Sequence, residues 1–267
     1  MPTLDVNGTQ LYYEDTGPGS TGETIAFSHG LLWSVELFAP QIAALRGRYR
    51  CIAWDHRGQG KSASDHRNCI GMELVTQDAM ALLAKLGTGP VHFAGLSMGG
   101  FVAMRIAARR PKLVRKLILI ETSGDPEPVE NVPRYRMLSL VARAVGTRII
   151  AKRVAQIMLG KTILGDATRA TELAHYLDVM TGRRDVWRAV NGVIDRAGLA
   201  DDLPQIAAPT LILVGDEDVA TPVAQAEKLA AAIRGARLVR VPRAGHSSTV
   251  ESPAEVTAAI ASFLGDP

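Results

Sequence analysis

Short apolar runs recur along the chain, separated by longer stretches in which apolar residues return every three or four positions. Ile25-Ala26-Phe27, Cys51-Ile52-Ala53-Trp54, Val91-His92-Phe93-Ala94, Leu117-Ile118-Leu119-Ile120, Leu211-Ile212-Leu213-Val214 and Leu238-Val239-Arg240-Val241 read as buried strands. Leu11-Tyr12-Tyr13 reads as an early strand entered through a hairpin turn at Asn7-Gly8. Helical periodicity covers Phe38–Leu45, Glu73–Leu86, Met98–Arg109, Ala224–Ile233 and Ala254–Leu264. Strands alternating with helices imply an α/β fold, a mainly parallel sheet covered on both faces. Thr221-Pro222 predicts an N-cap with proline at the first helical position. Ser252-Pro253-Ala254-Glu255 predicts a capping box.

The alternation breaks between about Gly124 and Leu203. That block has no convincing strand, and Arg134–Val145, Arg148–Leu159, Thr168–Met180 and Val186–Ala197 carry helical patterns, separated by Gly146, Gly160-Lys161, Gly165 and Gly182. An all-helical block between two strands reads as a lid. The expected organisation is therefore a core of residues 1–123 and 204–267, with a helical cap over 124–203. Met137, Leu140, Met158, Leu177, Met180 and Trp187 are candidates to line a pocket beneath it. Each is equally suited to packing helix against sheet.

Composition adds mainly exclusions. The 267 residues are 47% hydrophobic and 21% charged, which argues against disorder. The formal charge of +3 is spread, with basic residues interleaved among acids from Arg134 to Asp202, so no nucleic-acid surface is expected. Cys51 and Cys69 supply neither a disulfide framework nor a metal spacing. The start shows no charged n-region followed by an apolar core, and no run approaches the ~18 apolar residues of a membrane span. A cytoplasmic protein without a membrane anchor is expected.

The chemistry centres on Gly95-Leu96-Ser97-Met98-Gly99-Gly100, which follows the strand Val91–Ala94 and opens a helix. A G-x-S-x-G segment in that context is a nucleophile elbow, with Ser97 on a strained turn and glycines where a β carbon would collide. A serine hydroxyl needs a base. His246, in Gly245-His246-Ser247 just past the last strand, lies where an open α/β sheet places its active site. The base needs an acid to fix its tautomer. Asp218, in Gly215-Asp216-Glu217-Asp218, is favoured, and Glu121 at the end of Leu117–Ile120 is the alternative. Backbone N–H groups of Leu31 and Met98 are the expected oxyanion hole, with His29 holding the loop around Gly30. Leu32, Trp33 and Val219 complete the pocket candidates. Whether Arg134, Arg136 or Arg188 faces inward is left open, with solvent exposure the ordinary reading.

His29-Gly30, Asp55-His56-Arg57-Gly58-Gln59-Gly60-Lys61-Ser62, Gly95–Gly100, Gly215–Asp218 and Gly245-His246 together resemble the α/β-hydrolase superfamily over nearly the whole chain. Within its lid-bearing branch the chain is similar to bacterial carboxylesterases and 3-oxoadipate enol-lactonase-like hydrolases. The resemblance implies a mostly parallel eight-stranded sheet flanked by helices, with an inserted helical lid. It also gives Asp55–Ser62 the role of a structural turn. Serine at the elbow implies acyl transfer on a small-molecule ester or lactone with a hydrophobic acyl or aryl group, without metal or organic cofactor. The alternatives are a C–C bond hydrolase or enol-lactonase using the same triad, and a small-molecule receptor on a hydrolase scaffold. A homo-oligomer is compatible with either.

Overall fold

The computed structural model describes residues 2–182 and 185–265. Its strands are β1 (Thr3–Val6), β2 (Thr9–Asp15), β3 (Thr24–Ser28), β4 (Arg50–Trp54), β5 (Val91–Leu96), β6 (Val114–Ile120), β7 (Thr210–Gly215) and β8 (Arg237–Val241). They form one sheet in the order β1-β2-β4-β3-β5-β6-β7-β8. Asn7 and Gly8 both take positive φ, 45° and 74°, the backbone a tight hairpin requires, and they join β1 to β2 with Val6 opposite Thr9. β2 runs antiparallel to β4, and every later pair is parallel.

The helices of the core are α1 (Ala39–Leu45), α2 (Met72–Lys85) and α3 (Met98–Arg109). After β6 come α4 (Val132–Val145), α5 (Ala151–Met158), α6 (Lys161–Gly165), α7 (Ala170–Thr181) and α8 (Trp187–Ile194). α9 (Val223–Ala232), α10 (Ser248–Glu251) and α11 (Pro253–Leu264) close the chain. Successive residues of a strand point to opposite faces, and β6 shows the result. Leu117 and Leu119 pack with Val75 and Leu82 of α2, Val102 and Ile106 of α3, and Leu229 of α9. Ile118 and Ile120 enter the other layer with Leu45 of α1 and Val256 and Ile260 of α11. Burying each of these side chains contributes about 1.5–3 kcal/mol, which is why these strands are apolar on both faces.

Among its described residues, the segment between β6 and β7 holds helices joined by turns and no strand. Its second helical pattern splits into a 3₁₀ turn, Thr147–Ile150, and α5. α6, five residues long, is too short for a periodic signal to register. Both expected caps are corrected. Pro222, whose ψ of 159° is extended, occupies the N-cap of α9, and the Thr221 hydroxyl donates instead to Asp218 at 2.7 Å. Ser252 does precede α11, but its side chain makes no capping bond. No helix among the described residues is long and apolar enough to cross a membrane.

Close approach of backbones fixes the turn between β5 and α3. A β carbon on Gly99 would overlap the carbonyl oxygen of Ser28 at the end of β3, and one on Gly95 would overlap the Gly99 carbonyl. Gly47, by contrast, has open space around it. Gly99→Ala is expected to lower stability by about 3 kcal/mol, read as a reduced urea midpoint, while Gly47→Ala leaves the midpoint nearly unchanged.

Candidate active site

Ser97 sits at the head of α3 with φ 51° and ψ −111°, a conformation that costs a non-glycine residue about 1–3 kcal/mol. The surrounding bonds hold it there. Its N–H donates to Ile120 O at 2.9 Å, and its carbonyl accepts from Phe101 N at 3.1 Å and Thr122 Oγ1 at 2.9 Å. The side chain is largely buried, 8% exposed, and borders a pocket. Met98, the first residue of α3, has no helical carbonyl to bond. Among the described residues, neither its amide nor that of Leu31 donates to a protein acceptor.

The Leu31 loop is shaped by the turn after β4. Gln59 Oε1 accepts from Leu32 N at 2.9 Å, Asp55 Oδ1 accepts from Val35 N at 2.7 Å, and His29 Nε2 accepts from His56 N at 3.0 Å. That last bond puts the His29 proton on Nδ1, which donates to Gly30 O at 2.7 Å. Burial drives the His29 pKa down to about 4, so the ring is neutral and structural.

His246 follows β8, and its Nδ1 lies 2.9 Å from Asp218 Oδ2. The carboxylate contact places the proton on Nδ1 and leaves Nε2 free to accept. Asp218 also accepts from the Ala220 and Thr221 amides at 2.8 and 3.0 Å. The Thr221 hydroxyl, which donates to Asp218, lies 3.3 Å from His246 Nδ1. Burial pushes the Asp218 pKa up, but the opposing pull of His246 and the hydrogen bonds leaves it below the ordinary carboxylate value.

Glu121 stands behind Asp218. It is fully buried, has φ 46°, and accepts from Gly215 N at 2.9 and 3.0 Å. Burial, then the negative charge of Asp218, raises its pKa well above the usual range, so it is held protonated beside Asp218. Of the two candidate acids, Asp218 is the one in contact with His246.

Glu251, for which the sequence offered no signal, fastens the histidine loop. Its carboxylate accepts from Gly245 N (3.0 Å), Ser247 N (3.0 Å) and Gly160 N (2.8 Å). Glu217 adds a second tie to the same helical segment through Thr162 N at 2.8 Å.

Ser97 and His246 line one largely apolar cavity of about 140 Å³, together with Leu31, Leu32 and Met158. The remaining pocket candidates lie elsewhere. Met137 and Leu140 are 62% and 59% exposed, because α4 turns Tyr135, Leu138, Ser139 and Ala142 to the cavity. That inward stripe keeps helical spacing while containing small and polar residues. The guanidinium groups of Arg143 and Arg188 lie over the Trp187 ring, 4.6 and 4.5 Å from its centre. Leu177 packs into the hydrophobic layer of α1 and α11. Met180 and Trp33 border a separate cavity beside Gln59 and Lys61, and Trp33 Nε1 donates to Ser247 Oγ at 3.1 Å. Val219 is 63% exposed on an outer groove. Arg136 pairs with Asp195, and Arg134 lies over the ring of Tyr135. Among the described residues, the charged side chains that line the cavity are Glu127 and Arg196, neither of which stood out in the sequence.

A model of the alpha/beta hydrolase family matches residues 25–260. The chain belongs to that family. Among solved structures, this hydrolase is similar to an enol-lactonase from Burkholderia xenovorans LB400, with a TM-score of 0.90 and 29% identity over 99% of this chain and 100% of that one. It is also similar to a thermophilic esterase from Thermogutta terrifontis, with a TM-score of 0.91 and 28% identity over 99% and 98%. A relative from Caulobacter sp. strain K31, named "Putative carbamate hydrolase RutD", is 27% identical over 95% of each chain.

Stability should reveal the protonated state of Glu121. A raised folded pKa gives a stabilisation fully present below the ordinary 4.5 and lost as pH climbs toward the folded value. Glutamine does not titrate, so Glu121→Gln is expected to raise the melting temperature relative to the parent more at pH 8 than at pH 5. An equal shift at both values would contradict a protonated Glu121.

Proposed function

We propose that this hydrolase cleaves small-molecule carboxylic esters or lactones through an acyl-enzyme on Ser97. The observation carrying this reading is that Ser97, strained at a helix head, and His246, held by Asp218, open onto one apolar pocket. His246 Nε2 takes the proton as Ser97 Oγ attacks the carbonyl carbon. The developing oxyanion is received by the Leu31 and Met98 amides, and the positive end of the α3 dipole adds to their field. The imidazolium then protonates the departing alkoxide, and the acyl-enzyme forms. Water, deprotonated by the same Nε2, attacks the acyl carbon and releases the acid and Ser97. Asp218 stays ionised throughout and stabilises the imidazolium.

Helices α4 to α8 serve as the cap, and Ile150, Val154, Ile157 and Val190 give its cavity wall the character that suits a hydrophobic acyl or aryl group. The relatives described as an esterase and an enol-lactonase support an ester or an internal ester as substrate.

p-Nitrophenyl esters of increasing acyl length should be turned over, and Ser97→Ala should lower kcat by up to ~10⁶-fold. Asp218→Asn, which forfeits the tautomer, should cost about 10⁴-fold. A fluorophosphonate should add its phosphonyl mass to Ser97. Labelling without turnover of any ester would favour a C–C bond hydrolase or a receptor, and absence of labelling would remove the serine mechanism.

A further inference from the structure

Among the described residues, two charged side chains line the pocket, apart from Ser97, Asp218 and His246. Arg196 follows α8, Glu127 lies between β6 and α4, and Arg196 Nη1 donates to Glu127 Oε2 at 2.6 Å. Both side chains are nearly buried, at 4% and 10% exposure. Arg196 is further fixed by donating from Nη1 to Val193 O at 3.0 Å and from Nε to Asp125 O at 3.1 Å. Its guanidinium lies 4.5 Å from the centre of the Phe101 ring, one helical turn beyond Ser97. Asn131 Nδ2 holds the other carboxylate oxygen of Glu127 at 3.2 Å. Among the described residues, Arg196 Nη2 donates to no protein acceptor.

We propose that Glu127 sets the substrate class of this site: by neutralising Arg196 it admits esters whose acyl group is uncharged and turns away those carrying a carboxylate. The inference rests on the serine-hydrolase reading of the site. An unpaired arginine in an apolar pocket is a strong receptor for a carboxylate, which it binds by charge and by two parallel hydrogen bonds. Glu127 already occupies that role. A substrate carboxylate entering the pocket loses its water, and meets the attraction of Arg196 and the repulsion of Glu127 at similar range. The desolvation is then left uncompensated. An uncharged chain carries no such penalty, and a neutral oxygen on it can accept from Nη2.

The test compares p-nitrophenyl hexanoate with mono-p-nitrophenyl adipate, which have the same number of acyl carbons and differ in one terminal carboxylate. The parent enzyme should favour the hexanoate in kcat/KM by at least ~10-fold, mostly through KM. Glu127→Gln keeps the shape and frees the charge of Arg196, and should move the ratio toward the adipate by a further factor of at least ~10. The double variant Glu127→Gln/Arg196→Gln should lose that gain. Circular dichroism and fluorophosphonate labelling of Ser97 establish that each variant is folded. A parent enzyme that prefers the adipate would overturn the proposal, as would a folded Glu127→Gln variant with an unchanged ratio. Loss of Ser97-dependent turnover on both esters would instead bring down the hydrolase reading, and the inference with it.

Discussion

The contact between the backbone of α3 and the end of β3 governs the rest of the molecule. With hydrogen as its only side chain, Gly99 lets the helix come against the Ser28 carbonyl, and Gly95 lets the strand turn sharply into it. The surroundings of Ser97 follow from that proximity. The turn gives Ser97 its positive φ, the helix head leaves the Met98 amide unbonded, and the loop leaving β3 carries the Leu31 amide to the same place. A side chain at Gly99 would separate these groups together.

Across the pocket the governing problem is charge. Asp218 and Glu121 are buried side by side, and two carboxylates so placed cannot both ionise cheaply. The asymmetry of their partners decides which one does. Asp218 has His246, a hydroxyl and two amides, whereas Glu121 has the Gly215 amide and Asp218 itself. One negative charge therefore faces the histidine, and its neighbour acts as a neutral hydrogen-bonding wall.

How much of this was legible in the sequence varied with the range of the interaction. β3 to β7 were readable because burial on both faces makes each an apolar run between helices, and Ser97, Asp218 and His246 were readable because each follows a strand. The expected burial of Leu238–Val241 is corrected: β8 stands at the sheet edge with Arg237 and Arg240 exposed. Signals whose meaning depends on distant partners were misread. Thr221 has every local property of a cap, yet a carboxylate three residues earlier takes its hydroxyl. Met137 and Leu140 have the right residue type and the wrong face, since the inward stripe of α4 is carried by Tyr135, Leu138, Ser139 and Ala142. Glu127 and Arg196 are 69 residues apart, and nothing in either neighbourhood announces the other.

The bonds of Glu251 and Glu217 have a consequence for how such a molecule can diverge over generations. Glu251 clamps Gly160 to the loop that carries His246, and Glu217 holds Thr162 to the loop that carries Asp218, so inherited changes around α5 and α6 act directly on the setting of both residues. α8 is moored elsewhere, through Asn191 to Asn68 O and through Arg188 O to Ile70 N, with α4 resting on it. Neither mooring reaches the histidine. Mutation can therefore remodel α4 and α8, which line one wall of the cavity, while the segment around α5 and α6 keeps His246 and Asp218 in register.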